Sequence, residues 1–285
     1  MLKRKLGQTG EMLSIVGFGG ILVMNEEPAI AASLVAEAIE RGINYFDVAP
    51  SYGNAEVRLG PALEPYRQDV FLACKTGERL AEGAKREFEQ SLLNLRTDHF
   101  DLYQLHAVTT PEDVDKITGP GGALEFFQQV KAEGRVRYLG FSAHSEEAAL
   151  ALMDRFDFDS VLFPFSWVIW HQGHFGPRVR DRAQKKGVGL LALKSLAKRP
   201  WIDDEERKQW PKCWYRPVET YEEAELAFRF TLSQGITAAA TPGHAPFMRW
   251  ACDAADRFVP LSPEELELVA KRTEGLAPLF PHANS

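Results

Sequence analysis

The chain has 285 residues, 45% hydrophobic and 26% charged, with a formal net charge of −7. That length suits one large α/β barrel or two smaller domains, and the acidic balance argues against a general binder of nucleic acid or anionic membrane. No stretch approaches the ~20 apolar residues of a membrane helix, and the three cysteines show no CxxC spacing, so reduced thiols are expected.

The opening residues, MLKRKLGQTGEML, lack the shape of a secretory leader, and a cytoplasmic protein is expected. They read as a hairpin over residues 1–12, turning at Thr9-Gly10. The run LSIVGFGG is the first strand. AIAASLVAEAIERG then puts Ile30, Leu34, Val35, Ala38 and Ile39 on one helical face and stops at Gly42. The pattern recurs. INYFDV, DVFLACK, FDLYQLH, VRYLGFS, SVLFPFS, VGLLALK and ITAAAT read as strands separated by stretches of helical period, such as AKREFEQSLLNLR with Phe88, Leu92 and Leu95. Strand alternating with helix means parallel strands, and about eight such units make a (β/α)8 barrel. A capping box, Ser262 to Glu265, opens a further C-terminal helix over 261–277. No linker or low-complexity segment divides the chain, so one domain over 1–285 is expected.

One segment breaks the rhythm. Residues 197–218 carry Trp201, Trp210 and Trp214 among charges. A loop longer than ~15 residues in a compact domain has a function or is disordered, and tryptophans argue against disorder. A wall over a substrate and a packing surface are equally good readings.

Polar residues cluster at strand ends: Asp47, Lys75, His106, Ser142 and Lys194. In a barrel these positions share one mouth. Singly, each has a plainer explanation: a helix N-cap for Asp47, a solvated charge for Lys75, a structural imidazole for His106, packing for Tyr52. Together they match one chemistry. Adding hydride to a carbonyl leaves an alkoxide that must be protonated. Tyr52 can donate that proton. Lys75 stabilises the phenolate, Asp47 holds Lys75, and His106 orients the substrate oxygen.

These stretches resemble the aldo-keto reductases. LGQTGEMLSIVGFGG is similar to their opening hairpin and first strand, GINYFDVAPSYGNAE to the segment around their Asp and Tyr, FLACKTG to the Lys strand and FDLYQLH to the His strand. The resemblance implies a catalytic tetrad of Asp47, Tyr52, Lys75 and His106, and NADPH, or NADH, lying across the barrel mouth. It implies cofactor contacts from Gly20, Ile21, Asp47, Ser142, Lys194, Ser195, Leu196, Gly243, Arg249 and Asp253, with Arg249 on the adenosine 2′-phosphate. GFGGIL is no Rossmann fingerprint, because Leu22 stands at the last glycine.

The chain also departs from the family's pattern. Ala143 replaces an amide after the fifth strand, and Leu162 and Ser166 stand at the sixth. Leu193 takes the place of the aromatic that stacks on nicotinamide, and Cys252 and Asp253 replace a glutamate and an asparagine near adenosine.

The expected substrate is an aldehyde or ketone, bounded by Ile21, Met24, Val108, Trp167, Trp170 and Trp201, an aromatic and apolar set that favours hydrophobic carbonyls. No metal, nucleic acid or membrane partner is expected, and the chain is expected as a monomer or weak homo-oligomer. Two other readings stay open: a barrel aldolase with Lys75 or Lys194 as Schiff-base lysine, and a nicotinamide-binding redox-sensing subunit with little turnover.

Overall fold

A computed structural model of the protein describes residues 1–280; residues 281–285, part of the expected single domain, lie outside them. The chain opens with an antiparallel hairpin, β1 (Lys3–Lys5) against β2 (Met12–Ser14). It extends past the expected end at residue 12. Leu6 N donates to Glu11 O at 2.8 Å to close the turn.

The barrel follows. β3 (Val16–Gly19), α1 (Pro28–Glu40), β4 (Tyr45–Asp47), α2 (Ala55–Leu63), β5 (Phe71–Thr76) and α3 (Ala81–Leu95) alternate as expected. After β6 (Phe100–Val108) come two helices, α4 (Pro111–Thr118) and α5 (Ala123–Ala132). β7 (Val136–Ala143), α6 (Glu146–Arg155) and β8 (Ser160–Pro164) lead to another helix pair, α7 (Trp167–Gly173) and α8 (Pro177–Lys186). β9 (Gly189–Leu193) is followed by a strap: β10 (Ala197–Arg199), the single turn α9 (Asp204–Arg207) and β11 (Arg216–Pro217). Then come α10 (Tyr221–Ser233), β12 (Ala238–Ala240), α11 (Ala245–Asp256) and α12 (Pro263–Thr273).

Strands β3 to β9 and β12 pair in parallel and close on themselves, β12 bonding both β3 and β9. This is a (β/α)8 barrel with its hairpin and extra helix. The expected capping box is present: Ser262 Oγ accepts from Glu265 N, and the Glu265 carboxylate accepts from Ser262 N.

Two cores explain the architecture. Inward side chains Tyr45, Phe71, Leu102, Leu162 and Leu191 fill the barrel, and Leu6 and Leu13 of the hairpin plug its base. The larger core lies between strands and helices. α3 contributes Phe88, Leu92 and Leu95, all buried, as its spacing predicts. On α1, Ile30 departs from the expected face: it is 49% exposed, and Ala31 packs inward instead. The helix enters at Pro28 with its stripe centred on Leu34 and Val35, which leaves Ile30 off the barrel side. Among the described residues, no helix is long and apolar enough to cross a membrane.

Candidate active site

In a parallel barrel every strand ends at the same rim, so the residue period of two decides what points into the mouth. Tyr45 and Asp47 alternate inward on β4, and Lys75 follows Ala73 inward on β5. Asp47 is 3% exposed and Lys75 is fully buried. They form a direct ion pair. A buried ion pair holds only if its other lone pairs and protons are satisfied. Here Asp47 also accepts from Tyr45 OH at 3.1 Å and Gln104 Nε2 at 3.0 Å, and Lys75 donates to Val48 O at 3.2 Å. Burial alone would depress the Lys75 ammonium; Asp47 and Tyr52 outweigh it, and the net shift is upward.

Tyr52 comes from the loop between β4 and α2 and leans over this pair. Lys75 Nζ lies 5.4 Å from its ring centroid, and the His106 ring lies 5.8 Å away, edge-on. Burial pushes the Tyr52 phenol up; Lys75 opposes that, and Asp47 reinforces it. The phenol is therefore protonated at neutral pH.

His106 is aimed by a bulge. The register of β6 against β7 shifts between Leu105 and Val108, and Ala107 takes a left-handed φ of 51°. Bulges re-aim side chains beside active sites. This one is held on both sides. Arg79 donates to His106 O at 2.9 Å and Ala107 O at 3.2 Å, and Ala107 N donates to Ser142 Oγ at 2.8 Å. Burial, then Lys75 and His144, lower the His106 pKa to about 3, so the ring is neutral. Ser51 Oγ lies 3.3 Å from His106 Nδ1. With the Ser51 hydroxyl donating there, Nε2 carries the proton.

A cavity of about 500 Å³ opens in front of these groups. Asp47, Tyr52 and His106 line it, Lys75 sits behind Asp47, and the floor is apolar, from Ile21, Leu162, Leu193 and Ala240. The four expected residues thus converge on one rim. Among the described residues, no group of His, Cys, Asp and Glu is placed to hold a metal ion.

The sequence profile of the Aldo/keto reductase family matches residues 16–253. The chain belongs to that family. The uncharacterized oxidoreductase YqkF of Bacillus subtilis is 34% identical over 180 residues, 58% of this chain and 56% of that protein. L-galactose dehydrogenase of Arabidopsis thaliana is 29% identical over 214 residues, 68% of this chain and 65% of that protein. The chain therefore spans little more than half the length of the first of these curated relatives and under two thirds of the second. The holo form of aldo-keto reductase AKR11C1 from Bacillus halodurans superposes with a TM-score of 0.76 at 25% identity, covering 99% of this chain and 98% of that one.

The family implies a nicotinamide dinucleotide. At the nicotinamide end the residues fit: the lining from Ile21, Leu162, Leu193 and Ala240 is apolar, and Tyr52 and His106 share the same cavity. Gly19 is required there, since a Cβ would lie 2.1 Å from Thr241 O. Of the residues expected to contact the cofactor, Ile21, Asp47, Lys194 and Gly243 line the cavity. Gly20, Ser195 and Leu196 are buried behind its wall. Ser142 is also buried, its oxygen accepting from the bulge.

The adenosine-side expectations meet a different geometry. Arg249 makes a bidentate pair with Glu37, at 2.7 and 2.9 Å, on the outer face of α11. Asp253 pairs with Arg41 at 2.7 Å. Neither lines the cavity. The charges of α1 and α11 meet across the helix layer, and sequence spacing within α11 does not reveal that partner.

The expected substrate walls are corrected too. Trp167 and Trp170 lie on α7 rather than in a loop. Trp167 is buried, its Nε1 donating to Ala197 O at 3.0 Å. Trp170 packs edge-on against Phe230 with Arg180 over its face. Val108 is core, Met24 packs onto the core near Gly53, and Trp201 donates to Cys213 O at 3.1 Å.

The cavity is walled instead by the second half of the strap: Lys212, Cys213, Trp214 and Tyr215. Lys212 binds Leu22 O at 2.9 Å and Glu26, pinning the strap across the mouth. Its backbone packs on the turn at Gly243, where a Cβ would meet Lys212 Cβ at 2.5 Å. His144 and Phe280 complete the rim. A signal for the strap existed in its clustered tryptophans. His144 and Phe280 gave none.

Lys194 is unusual. It adopts a left-handed φ of 64°, which costs a non-glycine residue ~1 kcal/mol. Burial depresses its ammonium to about 8.

Proposed function

We propose that this chain is an NADPH-dependent reductase that delivers hydride to the carbonyl of a small aldehyde or ketone, with Tyr52 as proton donor. One observation carries the reading: a protonated phenol faces an apolar cavity while a buried, carboxylate-paired ammonium lies 5.4 Å from its ring. The nicotinamide supplies the hydride when bound. Everything else is done by the chain's own side chains.

His106, neutral and carrying its proton on Nε2, donates a hydrogen bond to the carbonyl oxygen and fixes its direction. Tyr52 gives its proton to that oxygen as negative charge develops. Lys75 stabilises the phenolate left behind, and Asp47 keeps Lys75 charged and in place. The Ile21, Leu162 and Leu193 surface excludes water from the reacting carbon. NADPH is preferred to NADH through Arg249: its pair with Glu37 is solvent-exposed, worth at most ~1 kcal/mol, and a 2′-phosphate can displace it. The aldolase reading fits less well for Lys75, because a Schiff base needs a neutral amine and Asp47 holds this one charged.

The test is a titration with NADPH and NADH, then turnover on a panel of aldehydes and ketones, for wild type and Tyr52→Phe. The Phe variant is expected to bind cofactor as wild type does and to reduce carbonyls ~10²-fold or more slowly. Equal rates would remove Tyr52 as donor. Tight cofactor binding without multiple turnovers in wild type would favour the redox-sensing reading.

A further inference from the structure

Two cations line the cavity. Lys212, beside the Gly243 turn, has its countercharge in Glu26. Lys194, just past the end of β9, has none: among the described residues no carboxylate and no hydrogen-bond acceptor meets its ammonium. Three rings surround it instead. Its Nζ lies 6.0 Å from the centroid of Trp214, 5.7 Å from Tyr215 and 5.7 Å from Phe280. Aromatic faces hold an ammonium in place without neutralising it. A half-buried, unpaired cation in an apolar surround attracts an anion strongly, and its left-handed backbone is a further sign that this position is not chosen for stability.

The location says which anion. Trp214 in that cage also stands 5.8 Å from the Tyr52 ring. Phe280 stacks on His144 at 5.3 Å. Lys194 therefore shares its wall with the proton donor, and its charge acts on both His144 and His106.

We infer that Lys194 anchors an anionic group carried by the substrate, so that the reductase takes carboxylate-bearing aldehydes or ketones in preference to neutral ones. This rests on the carbonyl-reductase reading. A carboxylate on Lys194 sets the distance from the charged end to the carbonyl under Tyr52 and His106, and the Trp214 and Phe280 faces cover the carbon frame between them. The same ammonium could meet a cofactor phosphate, and the experiment separates the two sources.

The probes are 4-carboxybenzaldehyde and its methyl ester, which share the aldehyde and ring and differ at the far end in charge and one methyl group. Wild type, Lys194→Met and Lys194→Arg are compared by kcat/KM on both, by calorimetric binding of 4-carboxybenzaldehyde, and by the dissociation constant of NADPH. Lys194→Asn, which suits the left-handed backbone, replaces the Met variant if that one does not fold. Wild type is expected to favour the carboxylate. At saturating NADPH the acid-to-ester ratio of Lys194→Met falls at least ~10-fold, and Arg restores part of it. An unchanged ratio overturns the inference. So does an NADPH affinity that drops ~10-fold with the ratio intact, since the cation then serves the cofactor. If neither aldehyde turns over but Lys194-dependent binding of the carboxylate remains, the anchor stands and the reductase reading falls. If that binding is absent as well, both fall.

Discussion

The indole of Trp214 stands 5.8 Å from the ring of Tyr52, tilted by 46°. A side chain from the strap thus forms the outer wall beside the candidate proton donor. It is held there by a ribbon, β10 against β11, and by Lys212 reaching Leu22 and Glu26 on the far side of the mouth. One wall of the cavity is therefore built by a segment outside the strand-helix repeat.

Truncating that wall tests its part in binding. Trp214 is 55% exposed, so only part of its area is available to a substrate. Trp214→Ala is expected to raise KM for apolar aldehydes ~5-fold, about 1 kcal/mol, with kcat changed less. Steady-state kinetics on an aliphatic aldehyde series reads this. A KM that stays put across the series would show that the strap packs but does not bind.

The Asp47–Lys75 pair is a structural element as well as a chemical one. Asp47→Asn leaves the fully buried Lys75 without its countercharge and is expected to cost ~3–5 kcal/mol. In thermal melts that is a drop of ~10 °C for a chain of this size. Adding Lys75→Met should recover much of the loss, because no charge then remains buried. A double variant as unstable as the single one would place the damage elsewhere.

Acid should weaken the fold through two imidazoles. Burial, and then Lys194, depress His144 to about 3, as burial, Lys75 and His144 do for His106. Unfolded histidine titrates near 6.5. The folded values are lower, so the unfolded chain takes up these protons first. The stabilisation is present above pH ~6.5 and is lost as pH falls toward ~3, by up to ~1.4 kcal/mol per pH unit per residue. Urea midpoints at pH 7, 6 and 5 should fall, and His144→Gln should flatten the slope. An equal slope in the variant would mean that His144 contributes nothing to it. For the same reason kcat/KM should show no inflection near pH 6.5 from His106.

Much of the site was legible before any coordinates. Asp47, Lys75 and His106 each end an apolar run, and parallel strands bring all such ends to one rim. Tyr52 follows Asp47 closely enough that one short loop decides its place. The helical stripe of α3 and the capping box of α12 were likewise local signals, carried by neighbours a turn apart.

The groups that needed the tertiary structure all depend on pairs distant in sequence. Arg249 finds Glu37 on another helix, and Trp167 and Trp170 turn into a helix that faces the core and α10. Trp214, His144 and Phe280 meet around Lys194 and Tyr52 from the strap, a strand end and the C-terminal segment. Periodicity tells which side of an element is buried, so the sequence alone settled the barrel and the rim residues. It does not tell which remote surface covers that side, because long-range packing is chosen by shape and charge in three dimensions; that choice built the wall, the cage and the unpaired ammonium.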